Sequence, residues 1–297
     1  MQIEPKHSRR PADARTRPAD VARRSALLWR RDTACARQLD ILGLGFENIT
    51  LDEAASSIVD AAQVQRQTRA VFVNAHVMNT AWADAAYWRT IATADRRYAD
   101  GSGLAIAARL GGQALADNVN GTDLLALLAG EAVSEGVTIF LLGGAPGAAE
   151  ASAATLAGQG FAGSLAGAHH GYFAPGSAEE DRVIAAINAS GAAILLVGLG
   201  VPLQDQWIER NAHRLDARVL IGVGGLFDFY SGRVSRAPAL LRSAGLEWTW
   251  RLALEPGRMW RRYLVGNATF LARALIEAAR LRGRAATAAD APRHTAG

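Results

Sequence analysis

The chain has 297 residues, half of them apolar, enough to build a buried core in one large domain or two small ones. Its net charge of +4 is unevenly spread: residues 1–38 carry 10 basic and 4 acidic side chains, residues 39–232 carry 10 and 20, and residues 233–297 carry 12 and 4. An acidic body between basic ends argues against a nucleic-acid-binding domain, whose positive charge would cover the folded face, and directs the ends toward anionic partners.

Residues 1–38 are rich in Arg, Pro, Ala and Asp without apolar periodicity and read as a disordered basic tail. Their apolar stretch Ala26-Leu-Leu-Trp29 is too short for a signal core. Cys35 is the only cysteine, so no intrachain disulfide can form and a reducing compartment fits. From residue 39, short apolar runs at 39–42, 70–74, 97–99, 137–142, 192–197 and 218–223 read as strands. They alternate with helical patterns near 51–66, 78–93, 102–111, 122–135, 147–158, 178–190 and 203–214. This order predicts an α/β, Rossmann-like fold over residues 39–236, a largely parallel sheet with helices on both faces. The longest apolar runs, such as 192–201, are half the roughly 20 residues a membrane span needs. The expected location is the cytoplasm.

In such sheets ligands sit at the carboxyl ends of strands, and the chemically marked residues fall there. Asn74 and His76 follow one strand, Asp100 another, Gly143-Gly144 a third, Gly198 to Gln204 a fourth and Gly224 to Asp228 the last. Asp100, in Tyr98-Ala-Asp-Gly-Ser-Gly103, suits either an N-cap or a general base. The loop containing Gly200 opens a helix whose first amides can face a diphosphate. The Gly143 turn lacks the Gly-x-Gly-x-x-Gly spacing of a dinucleotide site. Tyr172 can pack on a base or in the core. Neither His169-His170 nor His76 has zinc spacing and there is no Asp-x-Asp, so no metal and no cofactor are expected.

Residues 237–283 change character to helices dense in Trp and Arg. On a helical wheel Trp260, Leu264, Ala268, Leu271, Leu275 and Ala278 share a face, with Arg258, Arg261, Arg262, Arg273 and Arg280 largely elsewhere. That pattern suits an anionic membrane surface, or a helix packed on the domain. Residues 284–297 read as a second disordered tail.

The order of motifs is more specific than any of these patterns. Ala99-Asp-Gly-Ser-Gly103 and Asn120-Gly-Thr-Asp123 precede Gly198-Leu-Gly-Val-Pro-Leu-Gln-Asp-Gln-Trp207 and Gly224-Gly-Leu-Phe-Asp-Phe-Tyr-Ser-Gly232. Arg236-Ala-Pro238, Gly245-Leu-Glu-Trp-Thr-Trp-Arg251 and Glu255-Pro-Gly-Arg258 follow. Over roughly residues 39 to 265 the chain resembles the WecG/TagA/CpsF family, glycosyltransferase family 26. The resemblance implies an inverting, metal-independent hexosyltransferase working in exopolysaccharide or cell-surface polysaccharide synthesis. It would move a sugar from a UDP-sugar to a polyprenyl-diphosphate-linked saccharide, peripherally attached to the inner face of the membrane. It further implies Asp100 as the base and Gln204 beside the donor phosphate or sugar as a second catalytic residue. Residues and resemblance together make Asn74, Asp123, Gly143, Tyr172, Gly200 and Asp228 the candidates for binding substrate, and Arg251, Arg258, Arg261 and Arg262 those for lipid phosphates or the UDP diphosphate.

The chain departs from the family at three points. Gln204-Asp205 replaces Gln-Glu, Phe72-Val-Asn74 replaces Thr-x-Asn, and Asn118 stands where an Arg precedes Val-x-Gly-x-Asp. Losing a hydroxyl and a cation implies a donor other than ManNAc, such as glucose or a uronic acid, or replacement of the cation by an appendage arginine. The alternatives in other classes are a nicotinamide-dependent oxidoreductase using the Gly143 turn and a non-catalytic nucleotide-binding scaffold. Nucleic acid is not an expected partner, and a homo-oligomer stays open.

Overall fold

The computed structural model describes residues 37–289, with side chains as far as residue 283. Most of the basic N-terminal segment and the last residues of the C-terminal one therefore lie outside the described residues. Eight strands form one sheet, β1 (Gln38–Ile41), β2 (Leu44–Glu47), β3 (Thr68–Val73), β4 (Arg96–Ala99), β5 (Ile139–Gly143), β6 (Leu165–His169), β7 (Ile194–Gly198) and β8 (Val219–Gly222). Their spatial order is β1-β2-β4-β3-β8-β7-β5-β6, and every pairing except β1 with β2 is parallel. The expected α/β, Rossmann-like architecture is the observed one.

Strand alternation divides the core between two faces. Ala70, Ile139, Leu141, Ile194, Leu196 and Ile221 point to one side, where α1 (Leu51–Gln63), α5 (Gly121–Ser134) and α6 (Ala148–Leu156) cover them. Val71 and Val73 point to the other, under α2 (Ala75–Ala83), α3 (Ala85–Ala92) and α4 (Ser102–Leu110). On that same side Leu195, Val197 and Leu220 lie under α7 (Ala178–Ala189) and α8 (Leu203–Asn211). Parallel strands covered on both faces must be apolar throughout, and β5, β7 and β8 are buried at every position.

The helix starts follow from local chemistry. Thr50 and Glu53 form a reciprocal capping box at 3.2 and 2.8 Å. Asn74 accepts from the His76 and Val77 amides, each at 3.1 Å, and Asn120 from the Asp123 amide at 2.9 Å. The helix expected near 78–93 is two helices, because Asp84 ends α2 and caps α3 by accepting from Ala86 and Tyr87.

Beyond β8 come α9 (Leu226–Tyr230), α10 (Ala239–Ser243), α11 (Glu247–Leu254), α12 (Pro256–Trp260), a π-helical turn (Arg261–Val265) and α13 (Gly266–Ala289). The apolar face expected from the helical wheel packs only in part, through Leu271 and Ala278. Phe270, Ala274 and Ala278 are buried, whereas Trp260, Leu264 and Leu275 are 43, 53 and 55% exposed. The wide turn at 261–265 shifts the helical phase, and docking then selects the face of α13 that meets α2 and α4. There Phe270 stacks on Trp82 at 5.9 Å and Asn79 donates to the Gly266 carbonyl at 2.7 Å. Burying Phe270 alone contributes about 1.5–3 kcal/mol to that docking. The Arg273 guanidinium also lies over the Trp82 ring, 4.6 Å from its centre.

Candidate active site

The connection leaving β5 packs α6 on one face, and the connection leaving β7, its neighbour, packs α8 on the other. A crevice is expected above strand ends whose connections diverge in this way. A Cβ on Gly143 would stand 2.5 Å from the Gly198 carbonyl carbon, so only glycine lets these strand ends close. The Gly144 amide donates to the Gly198 carbonyl at 2.9 Å and fixes the rim. A pocket of about 910 Å³ opens from this point, walled on one side by the sheet loops and on the other by α11, α12 and the turn that follows.

Asp100 lies at the end of β4 on the pocket wall. The Asn74 side-chain amide donates to its Oδ2 at 3.1 Å, while Asn74 Oδ1 is occupied in capping α2. Asn118 Oδ1 accepts from the Gly101 amide at 2.8 Å and holds the loop from the other end. Burial raises the Asp100 pKa from the usual carboxylate value to about 6, against the lowering effects of the Asn74 hydrogen bond and Arg262, with Glu247 and Asp123 also raising it. His76, also on the wall, is pushed down to about 4 by burial and then by Arg262. At neutral pH Asp100 is ionised and is the stronger base of the two.

The opposite wall is cationic. Arg242, Arg251, Arg258 and Arg262 all line the pocket. Arg251 lies over the Phe229 ring at 4.5 Å, and its Nε and one terminal nitrogen are buried without a hydrogen-bond partner. Arg262 Nε is likewise buried and unpartnered. Buried donors on a charged group are costly to leave unsatisfied, and this wall carries two such guanidinium groups. Asp228 and Gly225 lie beside Arg251: a Cβ on Gly225 would stand 3.3 Å from Asp228 Oδ2 and 3.7 Å from an Arg251 terminal nitrogen.

The family model Glycosyl transferase WecG/TagA/CpsF family matches residues 39–284, both the sheet domain and most of the C-terminal helices. The chain belongs to this glycosyltransferase family. Membership makes it a transferase of cell-surface polysaccharide synthesis, acting between a nucleotide-sugar donor and a sugar acceptor, and sets aside the nicotinamide-dependent oxidoreductase alternative. Among the described residues no helix is long and apolar enough to cross a membrane.

Within this glycosyltransferase, Asn74, Asp100, Tyr172, Gly200, Gln204, Asp228, Arg251, Arg258 and Arg262 come together around the pocket. Asp123, Gly143 and Arg261 are not on its wall. Asp123 pairs with Arg236 at 2.7 Å and lies 3.9 Å from Arg242, Gly143 closes the strand ends behind the rim, and Arg261 is exposed beside Trp260. Gln204 is only 3% exposed, and its Oε1 accepts from the Gly224 amide at 2.7 Å, so it ties two loops together. Arg242, Glu247, Trp248 and Tyr263 also line the pocket; the sequence does not mark them as site residues, since an appendage of unknown fold gives no reason to aim its side chains at a distant crevice.

Proposed function

We propose that this glycosyltransferase is an inverting, metal-independent hexosyltransferase that uses a UDP-sugar and a polyprenyl-diphosphate-linked saccharide. The observation that carries the reading is the pairing of a raised-pKa carboxylate on one wall with two unsatisfied guanidinium groups on the other. Asp100 removes the proton as the acceptor hydroxyl oxygen bonds to the anomeric carbon, while the bond from that carbon to UDP breaks on the opposite face. Arg251 and Arg262 receive the charge that develops on the departing diphosphate. Asn74 orients Asp100, and Asp228 accepts from the nucleoside. The appendage arginines stand in for the cation lost at Asn118, consistent with a donor other than ManNAc.

The same reading places the protein at the inner face of the membrane. Leu240, Leu264 and Leu275 are 79, 53 and 55% exposed on the appendage that also carries Arg258, Arg261, Arg273 and Arg280. This mixture of bare leucine and arginine suits an anionic lipid interface, where the acceptor's diphosphate also lies. Calorimetry with UDP tests the donor side. Asp228→Ala should weaken UDP binding by about tenfold, the cost of a hydrogen bond to a charged group, with unchanged thermal stability. Equal affinity in the variant would remove Asp228 from the donor site.

A further inference from the structure

Behind the pocket a chain of buried polar groups joins three elements that the proposed chemistry does not use. Asp205, in the first turn of α8, is only 4% exposed, and the hydroxyl of the fully buried Tyr87 on α3 donates to its Oδ2 at 2.7 Å. Asp205 Oδ1, buried without a hydrogen-bond partner, and Gln204 Nε2 both face one point at the end of β8. A Cβ on Gly222 would stand 2.3 Å from the first and 2.7 Å from the second, so the missing side chain is what admits the pair. Gln204 Oε1 in turn accepts from the Gly224 amide. The next residues are Gly225 and α9, which carry Asp228 and contact Arg251.

A carboxylate this buried is costly unless it serves something. Burial raises Asp205 to about 6, while the Tyr87 hydroxyl and then the Gln204 amide pull it down. Burial and then Asp205 raise the Tyr87 phenol, so it stays a donor. A second tie between the same two helices, Thr90 Oγ1 donating to Glu209 Oε2 at 2.6 Å, does not reach the pocket loops. Helix docking therefore has its own contact, and the Tyr87 to Asp205 contact has a different destination.

We infer that Asp205 is a positioning residue for the donor site: held by Tyr87, it fixes the Gln204 amide, which sets the Gly224-Gly225 turn and with it Asp228 against Arg251. This rests on the donor reading above. The experiment compares Tyr87→Phe, Asp205→Ala, Asp205→Asn and Thr90→Val by UDP calorimetry and thermal unfolding. Tyr87→Phe should weaken UDP about fivefold, the effect of one hydrogen bond, and Asp205→Ala by more. Asp205→Asn should lose less affinity than Asp205→Ala, because it keeps the side chain's shape and an oxygen that can accept from the Tyr87 hydroxyl. Thr90→Val should leave UDP affinity unchanged even if it lowers the unfolding temperature. In an Asp228→Ala background Tyr87→Phe should cost much less than in the unaltered protein, since coupled sites are not additive.

Equal losses in Tyr87→Phe and Thr90→Val, or fold-changes that simply multiply with Asp228→Ala, would overturn the relay. Failure of the unaltered protein to bind UDP would overturn the donor reading beneath it. UDP binding that ignores every relay variant would overturn the relay alone.

Discussion

Asp100→Asn should lower turnover by about 10²–10⁴-fold, the contribution of a positioned general base, while UDP binds as before. The amide keeps the shape and the Asn74 contact but cannot take a proton. In the unaltered protein the rate should fall as pH drops through about 6, because protonating Asp100 removes the base. That acid limb should vanish from the residual rate of the variant. Stability should move the other way. A carboxylate whose folded pKa lies above its unfolded one destabilises the protein when ionised, so the penalty is complete above about pH 6 and falls away progressively as pH drops from there to the ordinary carboxylate value of 3.8. Asp100→Asn should accordingly raise the unfolding temperature at neutral pH, as expected where catalysis keeps a strained group. Near-normal turnover would move the base elsewhere.

Arg262→Ala and Arg251→Ala should each lower turnover by about 10²–10³-fold, the scale of losing a preorganised donor to developing charge. Sedimentation with anionic vesicles should persist. Arg258→Ala and Arg261→Ala should behave differently. Both side chains are exposed, Arg258 pairs with Glu255 at 3.1 Å, and Arg261 faces Trp260. Each contributes only about 1 kcal/mol near an anionic surface, so vesicle binding should weaken slightly and turnover little. The contrast follows from burial: Arg251 and Arg262 are half-buried with unpartnered nitrogens, whereas an exposed guanidinium is already solvated. Equal, graded losses across all four would assign the whole set to the lipid.

The sheet was largely legible because its central strands are continuous apolar runs between glycine turns, as at Ile194–Gly198. β2 was not, because it returns from β1 through the two-residue turn Leu42-Gly43, both at positive φ, a reversal that a leucine does not announce. β6 reads Leu-Ala-Gly-Ala-His, with no β-branched residue, and Gly167 is there because a Cβ would strike the Phe140 ring at 2.7 Å. The pocket's loop residues could be found from strand ends alone, since parallel strands deliver their loops to one edge. Its cationic wall is not legible that way: the family resemblance points to Arg251, Arg258 and Arg262, while Arg242 has no such signal. Arg262 lies within the wide turn at residues 261–265, and side-chain periodicity does not carry through such a turn; Arg251 depends on how its short helix docks over the sheet loops. The family resemblance sets Gln204 beside the donor phosphate or sugar; its oxygen turns inward to Gly224, and the glycine at the end of β8 leaves room for its amide.

The most direct test is transfer itself. The full chain should be incubated with a panel of UDP-sugars and a short-chain polyprenyl-diphosphate-saccharide acceptor, with and without chelator, following UDP release and the anomeric configuration of the product. The expected result is one UDP released per sugar transferred, an inverted anomeric centre, no loss with chelator, and a preferred donor other than UDP-ManNAc. Retention of configuration, a strict divalent-ion requirement, or UDP-sugars left intact in the presence of the lipid acceptor would contradict this account.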